Sequence, residues 1–312
     1  MVTDLIFCGT PRFAVPTLEA LVQAGFRLRL VVTQPDRPRG RGQELAASPV
    51  KQAALALGLP VSQPEKIKDN PDFRRQLESL APRAIVVVGY GRLIPPWMLG
   101  LPPLGNINLH ASLLPQYRGA APIQWAIANG ESVTGNTTML LNEGLDTGDI
   151  LLQEEIRIAP QDTAATLGPR MAESGARLMV KTLRELEAGR IRPKPQDSSR
   201  ATLALILTKE DGRIDFQRPA RDIFNRMRGF QPWPGAFTVF RGKNLAVHTA
   251  APVERRDIPP GELRVEQGRL FVGCAPGTAL EFLELQPEGK RHMTAADLVN
   301  GYRVRSGEKL GG

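Results

Sequence analysis

The alternation of strand-like and helix-like segments over the first 130 residues constrains this fold more than any other feature of the sequence. "DLIFCG" is a short apolar run ending in Gly9, and Thr10 and Pro11 then turn the chain. "PTLEALVQAG" reads as a helix, with Pro16 near its first turn and Gly25 just past its end. "RLRLVVTQ", "PVSQ", the β-branched "RAIVVVGYG" and "GNINLH" read as strands, and "SPVKQAALALGL", "DFRRQLESLA" and "APIQWAIANG" as the helices between or after them. Strands that recur with helical crossovers predict an α/β fold: a Rossmann-like, mostly parallel sheet with helices on both faces. Ligands of such sheets collect at the carboxyl ends of the strands.

Further on, "TTMLLNEG" and "DILLQEEIRI" read as a strand pair around "LDTGD". The pattern from Thr163 to Gly189 reads as a long helix, capped by Asp162 or Thr163 and expected to bend or break at Gly168-Pro169. "RIRPKPQDSS" combines prolines, charges and serines and reads as a linker. After it come the helix-like "RDIFNRMRGF", the rigid "QPWPGAF" and short strands with Gly and Pro turns, which predict a small mostly-β, barrel-like (OB-like) domain. The expected organisation is a catalytic domain over 1–189, a linker over 190–208 and a C-terminal domain over 209–312.

The 312 residues contain no run of eighteen apolar residues, so no membrane span is expected, and the N-terminus lacks the basic and apolar regions of a signal peptide. Cys8 and Cys274 cannot make a disulfide framework, which points to the cytoplasm. A monomer is expected. Residues 1–189 carry 19 Lys and Arg against 18 Asp and Glu, whereas residues 190–312 carry 21 against 14, so most of the formal charge of +8 lies in the C-terminal part. A basic domain of this kind suits an acidic partner such as nucleic acid, or simply keeps the protein soluble.

Asn108 and His110 stand two apart in a strand, so their side chains share one face near its carboxyl end. An amide donor and an imidazole there can hold a carbonyl oxygen as it gains charge, or can satisfy the loop that follows. Asp146, in "NEGLDTGDIL", can accept a proton or orient His110, or can serve only the turn; nothing in the spacing brings it to His110. His/Cys/carboxylate spacing for a metal is missing from the sequence, as are a Walker loop, a G-x-G-x-x-G fingerprint and a G-x-S-x-G elbow. The loop "QPDRPRGRGQEL" presents Arg37, Arg39 and Arg41 among glycines, a composition suited to phosphate contact or to a mobile surface loop. In "RDIFNRMRGF", Arg221 and Arg228 are seven apart and share a helix face, either a solvated basic side or a contact for nucleic acid.

"NLHASLLPQYRGAAPIQWAI" resembles the signature of the folate-dependent formyltransferases. "FCGTPRFAVPTLEAL", "QPDRPRGRG", "VVVGYGRLIP", "GLDTGDIL" and "GFQPWPGAF" are similar to further segments of that family, so the resemblance runs from about Leu5 to about Gly301. It implies transfer of a formyl group from 10-formyltetrahydrofolate to the free amino group of methionine on initiator methionyl-tRNA, for translation initiation, without a metal. The alternative is another formyltransferase or hydrolase using the same donor on a small-molecule amine or on water. By the matched motifs, Asn108, His110 and Asp146 would be the catalytic set. The folate would meet Val88, Gly89, Tyr90, Gly91, Arg92 and Leu93 after the β-branched strand. It would also meet Ser112, Leu113, Leu114 and Pro115 of the signature, and Asn142, Gly144 and Leu145 of the acidic turn. Arg41, with Arg37 and Arg39, would face the acceptor stem, and the C-terminal domain, with Arg221 and Arg228, would follow the tRNA backbone.

Overall fold

A computed structural model describes residues 3–39 and 44–311. Contacts divide the chain into two compact units. One comprises Met1–Gly119, Val133–Arg157 and Gly168–Ala204; the other comprises Ala120–Ser132, Ile158–Leu167 and Leu205–Gly312. Two internal segments, 120–132 and 158–167, group by contact with the C-terminal residues.

In chain order the elements are β1 (Asp4–Gly9), α1 (Val15–Gln23), β2 (Arg27–Val32), β3 (Arg37–Arg39), β4 (Glu44–Ala46), α2 (Pro49–Ala56), β5 (Val61–Ser62), α3 (Pro71–Leu80), β6 (Ala84–Val88) and α4 (Pro96–Leu99). They continue with β7 (Asn106–His110), β8 (Arg118–Gly119), α5 (Pro122–Ala128), β9 (Val133–Leu140), β10 (Ile150–Arg157), α6 (Ala164–Glu187) and β11 (Leu203–Ala204). Helix starts follow local chemistry. Ser48 and Asn70 accept from the backbone N–H of Lys51 and Phe73, and Pro49 and Pro71 occupy the first helical positions, where a missing N–H costs nothing.

The first unit is built on a seven-stranded sheet in the order β10-β9-β7-β6-β1-β2-β5. β5, β2, β1, β6 and β7 run parallel; β9 is antiparallel to β7, and β10 to β9. The chain steps outward from β1 to β2 and β5, then returns to the other side of β1 with β6. That reversal between β1 and β6 is a switch point, at whose strand carboxyl ends ligands of such sheets collect. Alternate residues feed opposite faces: Leu5 and Phe7 pack with α1 and α6, and Ile6 and Cys8 with α3 and α4. Leu5, Ile6 and Phe7 are each 0% exposed, a burial that contributes about 1.5–3 kcal/mol per large apolar side chain.

Two elements differ from the sequence expectation. The strand read over 137–144 begins at Val133 and ends at Leu140, because Asn142 Oδ1 accepts from Gly144 N (3.0 Å) and Thr147 Oγ1 (2.9 Å) and commits that stretch to a turn. The helix expected to bend or break at Gly168-Pro169 is uninterrupted. Pro169 lies near its N-terminus, where a single i→i−4 bond is lost.

In the second unit, α7 (Ala220–Gly229) is followed by β12 (Phe237–Phe240), β13 (Lys243–Val253), β14 (Leu263–Glu266), β15 (Arg269–Cys274), β16 (Thr278–Pro287), β17 (Met293–Thr294) and α8 (Ala295–Tyr302). The strands form an antiparallel sheet, β12-β13-β16-β15-β14, with β17 on β16. Its edges are joined by the C-terminal residues: Leu310 N donates to Gly261 O (2.8 Å), Gly311 N to Val239 O (2.9 Å) and Leu263 N to Glu308 O (2.7 Å). Ile223 and Met227 of α7 and Leu298 of α8 plug the core formed by Leu245, Val247, Leu280 and Phe282. The second helix was not read from the sequence; it starts at a capping box, Thr294-x-x-Asp297, in which each side chain reaches the other's backbone N–H. No helix among the described residues is long and apolar enough to cross a membrane, and Cys8 and Cys274 are each buried as free thiols.

Candidate active site

β7 delivers two polar side chains out of an apolar strand. Ile107 and Leu109 enter the core on one face, and Asn108 and His110 lie on the other, 8% and 6% exposed. The Asn108 amide has no hydrogen-bond partner among the described residues. His110 is oriented: its Nε2 lies 2.8 Å from the Tyr117 carbonyl. A carbonyl only accepts, so Nε2 carries the proton and Nδ1 is the ring atom left for other work.

Asp146 reaches this face by an indirect route. β9 runs antiparallel to β7 and ends beside Ile107, at the wrong end of β7 for a contact with His110. The loop after it folds back, with Asp146 in the left-handed region at φ 51°. There the Asp146 carboxylate accepts from Gly119 N at 2.8 Å and stands 3.7 Å from His110 Nδ1, beyond hydrogen-bond reach. Nothing in the residue spacing joins His110 to Asp146; the folded loop does.

The segment read as a linker over 190–208 is part of this arrangement. Lys194 exchanges backbone hydrogen bonds with Ile150 (2.8 and 2.9 Å), and β11 pairs in parallel with β8. Gln196 donates to the carbonyls of Asp146 (2.8 Å) and Gly148 (2.7 Å) and accepts from Arg118 Nε (3.1 Å) and Nη2 (2.8 Å). Proline-rich composition signals a chain without regular internal pairing, yet extended backbone remains free to pair with strands elsewhere. Sequence reasoning also missed Thr137 and Gln153. Thr137 Oγ1 donates to Ser112 O (2.6 Å) and accepts from Leu114 N (3.2 Å), and Gln153 Nε2 donates to Leu114 O (2.9 Å). Together they fix the signature loop after β7.

The residues expected around the formyl donor follow β6, β7 and β9. Val88 pairs with Gly9 at the end of β1, at the switch point. The loop after β6 is tied down there, because Thr10 Oγ1 and Gln34 Nε2 both donate to Tyr90 O (3.1 and 2.9 Å). Gly89 and Gly91 adopt φ 55° and 76°. At φ 76° the turn at Gly91 favours a residue without a side chain. Several of these residues offer backbone rather than side chain. Val88 and Tyr90 are packed into the core, as is Leu114, and Ser112 Oγ donates to Gln116 O. The Arg92 guanidinium donates to Pro64 O and Glu65 O. Leu93 and Leu145 are exposed, at 82% and 58%, as are Asn142 and Gly144; Leu113 and Pro115 are half-buried.

The basic residues divide. Arg37 is exposed on β3, which pairs with β4. Arg39 ends β3, and Arg41 lies outside the described residues. In the second unit Arg221 is exposed, with its guanidinium 5.9 Å from the ring of Phe224. Arg228 does not join it at the surface. It is 8% exposed and donates to Asn225 Oδ1 (3.0 Å) and Asp162 O (2.9 Å). Burial pushes its guanidinium down from the ordinary value. Seven-residue spacing put Arg221 and Arg228 on one helix face, but the carbonyls of 159–162 cover one end of that face, so Arg228 is a structural clamp rather than a phosphate contact.

Residues 4–183 match the family described as "Formyl transferase", and residues 206–303 match "Formyl transferase, C-terminal domain". A methionyl-tRNA formyltransferase of Koribacter versatilis is 64% identical over 98% of this chain and 98% of its own length. One of Acidobacterium capsulatum is 61% identical over 98% and 99%. Among solved structures, the N-formyltransferase of Helicobacter canadensis covers 92% of this chain and 100% of its own, at 17% identity and a TM-score of 0.64. A sugar N-formyltransferase from Shewanella covers 79% and 97%, at 19% identity and 0.60. At such identities these two likenesses are of fold alone. With both family domains matched and near relatives aligned from end to end, the chain belongs to the formyl transferase family, among its methionyl-tRNA formyltransferases.

Proposed function

We propose that this enzyme moves the formyl group of 10-formyltetrahydrofolate to the free amino group of methionine on initiator methionyl-tRNA, and that Asn108, His110 and Asp146 carry the chemistry. One observation supports this most: an unengaged amide and an oriented imidazole share one face at the carboxyl end of β7, and a carboxylate from a second, distant stretch of chain stands 3.7 Å from that imidazole.

The attacking α-amino group, with an ordinary pKa near 7.7–8.0, needs only to be neutral. As nitrogen bonds to the formyl carbon, the carbonyl electron pair moves onto oxygen. The Asn108 amide donates to that oxygen and stabilises it most when its charge is greatest. With Nε2–H held by the Tyr117 carbonyl, His110 Nδ1 is the atom that takes the proton lost by the new ammonium. Asp146 stabilises the resulting imidazolium through space. Collapse of the tetrahedral centre breaks the bond to the folate nitrogen, which takes the proton held by His110 Nδ1 and leaves the imidazole neutral again. The formyl donor sits against the backbone of Gly89 to Leu93, the loop of Ser112 to Pro115 and the turn around Asn142 and Gly144. Arg41, with Arg37 and Arg39, faces the acceptor stem, and Arg221 in the C-terminal domain meets the tRNA backbone.

The test is direct. The protein is incubated with 10-formyltetrahydrofolate and charged initiator tRNA, and N-formylated aminoacyl ester is measured beside parallel reactions with small-molecule amines and with water alone. Formylation of methionyl-tRNA is expected; turnover confined to a small amine or to water would replace this reading with the alternative.

A further inference from the structure

We infer that Gln196 is a positioning residue for Asp146: it does not touch the reacting atoms but sets the carboxylate that faces His110. This rests on the proposed function and deepens it.

The Gln196 carboxamide is fully used. Its nitrogen has two N–H groups, which go to the carbonyls of Asp146 (2.8 Å) and Gly148 (2.7 Å). Its oxygen has two lone pairs, which take Arg118 Nε (3.1 Å) and Nη2 (2.8 Å). This allocation admits a single orientation, because the reversed amide would turn N–H groups toward a guanidinium and an oxygen toward two carbonyls. Arg118 is 7% exposed, so the oxygen of Gln196 faces a charge that water scarcely reaches.

The three residues Tyr117 to Gly119 make the link to the chemistry. The Tyr117 carbonyl holds His110, the Arg118 side chain holds Gln196, and the Gly119 N–H holds the Asp146 carboxylate. Gln196 closes the circuit from the other side, by pinning the backbone on which Asp146 sits. That pin has work to do, since Asp146 is held at φ 51°, a conformation that a residue with a side chain seldom adopts and keeps only where its surroundings fix it. Without the Gln196 donors the Asp146 and Gly148 carbonyls lose their partner, the loop relaxes, and the carboxylate moves away from Nδ1.

Two substitutions divide the roles. Gln196→Leu removes donors and acceptors at similar size. Gln196→Glu keeps oxygen atoms for Arg118 but has no N–H for the two carbonyls, so the buried guanidinium still has a partner if Gln196→Leu fails to fold. Both are expected to lower kcat for formylation about 10–100-fold, as a misplacement of about 1 Å does, with KM for both substrates within about twofold. In single-turnover measurements with excess enzyme, adding Gln196→Leu or Gln196→Glu to Asp146→Ala is expected to change the residual rate by less than about twofold, because the residue being positioned is already gone. Wild-type kcat in Gln196→Glu overturns the inference. So does the same loss in the Asp146→Ala background as in the wild type, which would show that Gln196 acts elsewhere. A wild-type protein that fails to formylate methionyl-tRNA overturns the proposed function instead, so the two failures are distinct.

Discussion

The backbone N–H of Gly119 donates to Oδ2 of Asp146 at 2.8 Å, which makes a residue with no side chain the anchor of the carboxylate beside His110. Gly119 sits at φ 120°, and a Cβ there would lie 2.6 Å from the Ala204 carbonyl oxygen. Gly119→Ala therefore meets both backbone strain and a main-chain clash across β8 and β11. A loss of about 1–3 kcal/mol is expected, seen as a Tm lower by about 2–4 °C per kcal/mol, together with reduced formylation. A melting curve and an activity equal to wild type would refute the anchor.

Asn108→Ala tests the amide by itself. Its side chain has no partner among the described residues, so its removal leaves no protein group unsatisfied. Stability should hold, while kcat falls roughly a hundredfold to a thousandfold, about 2.7–4 kcal/mol for one lost oxyanion donor. Affinity for tRNA, measured separately, should barely move. A near-normal kcat would remove Asn108 from the chemistry.

Arg221 and Arg228 should part company when mutated. Arg228→Met takes charged donors from the Asp162 carbonyl and the Asn225 side chain, both in buried surroundings, at a cost of about 1–3 kcal/mol read from denaturant midpoints. Arg221→Ala should leave stability nearly unchanged but reduce the salt dependence of tRNA binding by a slope of about 1. The opposite pattern would reverse the two assignments.

Arg255 governs an acid-range titration in the C-terminal unit. Its guanidinium, hydrogen-bonded to Asp257 at 2.7 Å, holds that carboxyl down at about 2, with Arg264 nearby adding to the effect. A carboxyl depressed by folding contributes its stability above the unfolded value of about 3.9, and the contribution is lost as pH falls toward about 2. In Arg255→Gln the Asp257 titration, followed by NMR, should rise toward about 3.9. An unmoved midpoint would assign the shift to another cause.

Much of the architecture was written in local pattern. Continuous apolar runs such as "DLIFCG" and "AIVVV", alternating with helices that Pro and Gly punctuate at their ends, point to a parallel sheet buried on both faces. The two-residue period of a strand settles that Asn108 and His110 share a face of β7.

Tertiary structure decided what depends on partners distant in sequence. Asp146 meets His110 because β9 reverses beside β7 and its loop is folded back by Gly119 and Gln196. Gln196 looked like part of a linker because the carbonyls and the guanidinium it engages leave no mark on neighbouring residues. Arg228 looked like a surface cation because helical spacing states which residues share a face but not what covers it. Periodicity reports the direction of a side chain, whereas burial and hydrogen-bond partners are properties of two segments together, and only the folded chain supplies the second.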